Sequence, residues 1–337
     1  MAKLGVIGSG TWGTALAVLL VQNGHQVTLW SAFEEEAKAI KTTRKHPNLP
    51  EAVIPEELEV TTNLEAAMED KEILVLSVPS IFVRQTAVKM APYCRQGQII
   101  VNVAKGIEEQ SLKVLSEVIE EELPMAEVAV LSGPSHAEEV SRLLPTTCVA
   151  GAHSRTAAEQ VQKAFMSSAF RVYTSPDMIG IEVGAALKNV IALAAGMADG
   201  LGYGDNTKAA LITRGIAEIS RLGVAMGGKA QTFAGLSGTG DLIVTCASMH
   251  SRNRRAGILI GRGYSMEGAM KEVKMVVEGV YSAKAALALS QKYQVPMPIV
   301  EQVNQILFEG KPAREAVLDL MLRDRQTESL DLVWDCP

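Results

Sequence analysis

Short apolar runs recur through the first half of the chain, at Lys3–Ile7, Gln26–Trp30, Ile73–Ser77, Gln98–Val103, Val128–Ser132, Thr147–Ala150 and Arg171–Thr174. Each has the length of a strand and is flanked by Gly, Pro or Ser, the residues that end strands. Between them, apolar residues return every three to four positions over Thr14–Asn23, Phe82–Met90 and Leu112–Glu122, which is the helical period. Strand and helix in alternation predict a parallel sheet covered by helices on both faces, a doubly wound α/β arrangement.

From about Pro176 the strand signals fade, and Ala, Leu, Met and Gly dominate long helix-like segments such as Ile181–Ala198, Ala209–Leu222 and Ser282–Lys292. Gly196, Gly200, Gly202 and Gly204 are expected to punctuate one helix end, and Pro296 with Pro298 to mark another boundary. The expected organisation is an α/β domain over residues 1–180 and an all-helical domain over 181–337. The most apolar long segment, Ile179–Ala198, is interrupted by Glu182, Lys188 and Asn189, so it reads as a buried core helix rather than a membrane span.

Composition narrows the possibilities. A chain of 337 residues exceeds the size at which one core stops growing, so two domains are the default. With 47% apolar and 21% charged residues it is an ordinary globular protein, and a net charge of −6 argues against a nucleic-acid binder. Cys94, Cys148, Cys246 and Cys336 show no CxxC spacing, so neither a metal ribbon nor a disulfide framework is indicated and a reducing compartment is expected. The run after Met1-Ala2-Lys3 ends at Gly8, too short for the core of a secretory signal, and a cytoplasmic location is expected.

The first candidate site lies directly after the first strand, where Gly8-Ser9-Gly10-Thr11-Trp12-Gly13 leads into a helical run. Glycines at 8, 10 and 13 permit a tight turn, close approach of a pyrophosphate and close packing of helix on strand, and the helix N-terminus attracts the anion. That placement predicts a Rossmann-like dinucleotide site. The choice between NAD and NADP is normally made about 20 residues on, at the end of the second strand. There the chain reads Trp30-Ser31-Ala32-Phe33-Glu34, with neither an acid nor an arginine at the strand end, and Glu34 reads as a helix start. The sequence leaves the cofactor as NAD or NADP.

The second set is on the substrate side. Lys105 follows a strand at the edge where such sheets bind ligands, and Gly133-Pro134-Ser135-His136-Ala137 forms a turn after another. His136 reads as a turn histidine and carries no assigned chemistry. Lys188 stands in the apolar helical run, where an ammonium is costly unless a partner or wet cleft receives it. Glu182 and Asn189 share a helix face, either ligand-facing or simply wet. Downstream, Gly235–Gly240 leads to Asp241, and Ser251-Arg252-Asn253-Arg254-Arg255 opens a helical run, a phosphate receiver or a solvated basic face.

The strings GSGTWGTALA, NVAKGIE, LSGPSHAEEV, GAALKNVIALAAG, GLSGTGDLIVTC, SRNRRAG and VVEGV, in this order, resemble those of the bacterial NAD(P)-dependent glycerol-3-phosphate dehydrogenases along essentially the whole chain. The resemblance implies reversible reduction of dihydroxyacetone phosphate to sn-glycerol 3-phosphate for phospholipid synthesis, by a cytoplasmic homodimer. It implies that Lys188 donates and accepts the proton. It further implies that Lys105, Gly133, Ser135, Lys188, Asp241, Ser251, Arg252 and Asn253 contact substrate. Thr11, Trp12, Lys105, Ala137, Arg252, Val276 and Glu278 are implied cofactor contacts, beside the loop glycines Gly8, Gly10 and Gly13. The chain departs from the family at Ala32, where an Arg or His often stands, which leaves Arg44 or Lys45 as the cations for a 2′-phosphate. Two other readings remain open at this point: another two-domain dehydrogenase of hydroxyacid or phosphogluconate type, and a non-catalytic NAD(H) sensor.

Overall fold

The computed structural model describes residues 1–325, 327 and 328; Cys336 and the last residues assigned to the helical region lie outside them. Eight strands, β1 (Lys3–Ile7), β2 (Gln26–Trp30), β3 (Glu59–Thr61), β4 (Ile73–Leu76), β5 (Ile99–Asn102), β6 (Glu127–Ser132), β7 (Thr146–Ala152) and β8 (Phe170–Ser175), form one sheet. Their order is β3-β2-β1-β4-β5-β6-β7-β8. Strand side chains alternate between two apolar layers: Leu4, Val6, Ile73 and Val75 join one cluster, and Ile7, Leu74, Leu76 and Ile100 the other. Both faces are therefore buried, which is why the strands read as unbroken apolar runs.

Neighbouring strands from β3 to β6 run parallel, but β7 is antiparallel to β6, with Ser132 opposite Val149. This departs from the all-parallel expectation, and the reason is local. The segment after β6 holds only the four-residue helix Ala137–Val140, which packs in the same cluster as the helix Thr11–Gln22 at the carboxyl edge of the sheet. The chain re-enters from the edge it left, without the crossover that a parallel neighbour requires. Strand β3 escapes sequence reading because its three residues, Glu-Val-Thr, carry one apolar side chain. The helix expected from Leu112 begins at Leu115, since Leu112 has φ 58° and an isolated bridge joins Ile107 to Val114.

The order reverses between β1 and β4, because the chain first winds from β1 toward β3 and then returns to wind toward β8. A crevice opens at the carboxyl ends of strands at such a switch. Past β8 the chain is helical, and its 23-residue helix Met178–Gly200 belongs to both regions. Met178 and Ile181 pack under the sheet, and Val183 onward forms the centre of the helical core. This helix is long and apolar enough to cross a membrane, yet 89% of its apolar window is buried inside the protein. It ends at Gly200 as expected, but Gly196 and Gly200 also serve a packing role that the sequence reading missed. They lie against Arg254, Ile258 and Gly261 of the helix Arg252–Gly261.

Candidate active site

A cleft of about 340 Å³ opens where the switch point of the sheet faces the helical region. The loop after β1 forms one wall. Gly8 has φ 119°, and a Cβ there would lie 2.5 Å from the Ser77 carbonyl oxygen; one on Gly13 would strike the Gly8 carbonyl. Both glycines are demanded by the turn itself. Gly10 differs: a side chain there would meet no protein atom within 4 Å, so the backbone lies open to the cleft it lines.

This wall fits a dinucleotide. Gly10 is the N-cap of the helix Thr11–Gln22, contributes no side chain to its first N–H groups, and no acid occupies the first turn. An anion is thus the favoured partner for that helix start. Trp12 lines the cleft, and its buried indole N–H has no hydrogen-bond partner among the described residues.

The opposite wall comes from the helical region, and its centre is a buried set of charges. Asp241, 1% exposed, accepts Lys105 Nζ on Oδ2 at 2.8 Å and Lys188 Nζ on Oδ1. Lys188 also donates to the Thr245 hydroxyl at 2.8 Å, and Thr245 in turn donates to the Asp241 carbonyl at 2.6 Å. Lys105 donates further to the Gly133 carbonyl at 3.0 Å and lies 3.4 Å from the Ser135 hydroxyl. The partner that the cost of a buried lysine demanded is therefore Asp241.

Electrostatics here follow from burial and charge count. Burial pulls Lys188 down from 10.5 to about 7, with Lys105 adding to the fall and Asp241 opposing it. Burial acting alone would raise the Asp241 carboxyl, but the two ammonium groups outweigh it and hold Asp241 below its ordinary value. His136 is pushed down to about 4 by burial and by the Lys188 charge, so it stays neutral.

The basic cluster divides three ways. Arg252 lines the cleft, Arg254 turns aside to pair with Asp199 at 2.8 Å, and Arg255 is exposed. Ser251 caps the helix by accepting the Arg254 N–H at 3.2 Å. Asn253 is a brace: it donates to Asn189 at 2.9 Å and accepts the Gly279 N–H at 2.8 Å. Glu278 accepts the Ser80 N–H at 3.0 Å, and burial raises its carboxyl against the pull of Ser80 and Arg252.

Of the residues singled out in the sequence, Gly10, Thr11, Trp12, Lys105, Ser135, Ala137, Lys188, Ser251, Arg252, Asn253, Val276 and Glu278 line this one cleft. Gly8, Gly13, Gly133 and Asp241 are absent from its surface and stand behind it as shape or charge supports. Asn189 lines the cleft, whereas Glu182, seven residues earlier, is buried against Ser116 and Asn102. Arg44 is committed elsewhere, to the carbonyls of Pro55, Glu56 and Leu58. Sequence reading missed Ser77, Pro79, Thr245, His250 and Met275 as lining residues and gave His136 no place there. Only Thr245 carried a signal, a hydroxyl four residues after Asp241 and hence on the same helix face.

Comparison with known proteins places the whole chain. Residues 3–158 match the NAD-dependent glycerol-3-phosphate dehydrogenase N-terminus, and residues 177–318 the C-terminus of the same family. A glycerol-3-phosphate dehydrogenase [NAD(P)+] of Agathobacter rectalis is 63% identical, covering 99% of this chain and 100% of that protein. Its counterpart in Fusobacterium nucleatum is 60% identical over 97% and 99% of the two chains. The crystal structure of glycerol-3-phosphate dehydrogenase from Coxiella burnetii superposes with a TM-score of 0.90 at 36% identity, over 96% of this chain and 99% of that one. With both halves matched and identity this high over full length, the chain belongs to the NAD-dependent glycerol-3-phosphate dehydrogenase family.

Proposed function

We propose that the cleft interconverts dihydroxyacetone phosphate and sn-glycerol 3-phosphate with NAD(H) or NADP(H), and that Lys188 carries the proton. The observation behind this reading is that Lys188 and Lys105, paired through Asp241, and Arg252 line the same cleft as Gly10, Thr11 and Trp12 of the nucleotide loop. A bound nicotinamide would supply or remove the hydride at the substrate C2.

Reduction of the ketone leaves negative charge on its oxygen. The Lys188 ammonium stabilises that charge and then gives up a proton to it. In the oxidative direction Lys188 accepts the proton as a neutral amine, a form that burial makes accessible near pH 7. Asp241 grips Lys188 and Lys105 on separate oxygens, so one carboxylate orients both, and the surplus positive charge favours the neutral form of Lys188. Arg252, Ser251 and Asn253 lie at a helix start in the cleft wall, which suits them to the phosphate, while Ser135 and Lys105 suit the substrate hydroxyls. Gly133 and Asp241 act by holding Lys105 in place. Thr11, Trp12, Ala137, Val276 and Glu278 flank the nucleotide wall.

The chain acts as a cytoplasmic homodimer divided near residue 180, and its product serves phospholipid synthesis; these parts of the reading rest on the resemblance and on composition. The experiment is direct: supply dihydroxyacetone phosphate with NADH, then with NADPH, and follow loss of the reduced nicotinamide absorbance. Turnover should fall sharply when unphosphorylated dihydroxyacetone replaces the phosphate ester. No turnover with either nucleotide, or equal rates on an unphosphorylated oxoacid, would remove the reading.

A further inference from the structure

We propose that Glu36 reads the adenine-side ribose of the dinucleotide and makes this chain selective for NADH over NADPH; the inference rests on the reading above and adds the choice of cofactor to it. In a sheet of this order the choice is made at the carboxyl end of β2, where an acid accepts ribose hydroxyls or a cation holds a 2′-phosphate. Trp30 ends β2, and its carbonyl accepts the Gly8 N–H at 3.0 Å, so the strand end adjoins the nucleotide loop. The residues that follow are buried Ser31, then Ala32 and the exposed Phe33, none of which bears a charge.

The charge comes from the next helix instead. Glu36, in the first turn of Glu34–Thr43, accepts the hydroxyl of Ser9 on Oε1 at 2.9 Å, and Ser9 belongs to the nucleotide loop. The Glu36 side chain keeps 28% of its surface exposed, and Oε2 has no hydrogen-bond partner among the described residues. The buried His46 braces the same point: its Nδ1 accepts the Asn48 N–H at 3.1 Å, and its Nε2–H donates to the Ser9 carbonyl at 3.1 Å. Burial opposes ionisation of Glu36, but the nearby His46 ring, 3.7 Å away, and the Ser9 hydroxyl that donates to it outweigh burial and keep the carboxylate below its ordinary range.

Of the two cations available for a 2′-phosphate, one is committed elsewhere. Arg44 spends its guanidinium on the carbonyls of Pro55, Glu56 and Leu58, with Nε 3.2 Å from the Glu56 carboxylate. The helix start that could receive an anion already carries Glu34, Glu35 and Glu36 in its first turn. A 2′-phosphate would meet like charge there, whereas a ribose hydroxyl meets an acceptor.

The test measures binding without substrate, by titrating NADH and NADPH separately against tryptophan fluorescence or by calorimetry. Wild type should bind NADH about 10-fold to 100-fold more tightly, the worth of a hydrogen bond to a charged group. Glu36→Gln keeps an acceptor for Ser9 and loses the charge, so the ratio should fall by about 10-fold; Ala32→Arg should raise NADPH affinity. NADPH bound as well as NADH by the wild type overturns the proposal, and loss of that NADPH binding in Lys45→Ala would hand the discrimination to Lys45. An unchanged ratio in Glu36→Gln overturns the role of Glu36. Equal binding with intact turnover of dihydroxyacetone phosphate would sink this proposal alone, and failure to bind either nucleotide would sink the nucleotide reading with it.

Discussion

In the proposed reaction one buried side chain, Lys188, sets the chemistry. Removing its ammonium deletes an interaction that grows as charge develops on the substrate oxygen, so Lys188→Ala should lose about 10²-fold to 10⁴-fold in kcat. Nucleotide affinity, measured by titration, should stay near wild type; near-normal turnover would take Lys188 out of the reaction. With Lys188 at about 7, reduction needs its protonated form and should decline as pH rises through that value, while oxidation should rise over the same range. Pre-steady-state hydride transfer across pH would reveal this, and parallel profiles in the two directions would contradict it. Arg252→Ala should raise KM for dihydroxyacetone phosphate by about 10-fold or more through loss of a charge-assisted contact. The lysine was legible because an ammonium in an apolar helix demands an explanation. Thr245 was not, since a single hydroxyl near a helix start has many ordinary uses.

At the scale of elements, the helices Met178–Gly200 and Arg252–Gly261 cross through facing glycines. A Cβ on Gly257 would lie 2.9 Å from Gly196 Cα, and one on Gly196 would lie 3.0 Å from Arg254 Cα. This close crossing brings Asn253 within 2.9 Å of Asn189 and so seats the Arg252 helix start beside Lys188. Gly196→Ala should therefore cost about 1–3 kcal/mol by overpacking. On the proposed reading it should also raise KM more than it lowers kcat, because Arg252 and Asn253 shift while Asp241 still holds Lys188. An unchanged melting temperature would show that the crossing can open without strain. The sequence reading took Gly196 only as punctuation, since the atom a glycine must avoid belongs to a helix some 60 residues away. The antiparallel β7 and the short β3 were hidden for a similar reason: strand direction and edge pairing depend on neighbours, not on local period.

For the whole molecule, Glu182 joins the sheet, the helix Leu115–Glu122 and the central helix. It accepts Asn102 Nδ2 and the Ser116 N–H, both at 3.0 Å, and the Ser116 hydroxyl. Burial raises it from 4.5 to about 7 against these hydrogen bonds. The folded state thus holds a proton that the unfolded chain has released, so this group stabilises the fold fully below about pH 4.5 and loses that effect as pH rises through about 7. Glu182→Gln should flatten the fall in melting temperature between about pH 5 and pH 8; a slope identical to wild type would show that Glu182 does not titrate in that window. The buried Glu218, also near 7, leaves a residual slope in the variant.

The sequence alone determined the Rossmann-like first half, the helical second half and the glycine loop, because period and turn chemistry are local and act wherever the chain folds. It marked Lys105, Lys188, Asp241 and Arg252 as costly or charged residues in telling places. Only the tertiary structure decided that Asp241 answers both lysines, that Arg252 faces the cleft while Arg254 turns to Asp199, and that Arg44 is tied to backbone carbonyls. Those outcomes depend on distances between residues far apart in the chain, and burial turns such distances into charge states that no local pattern encodes.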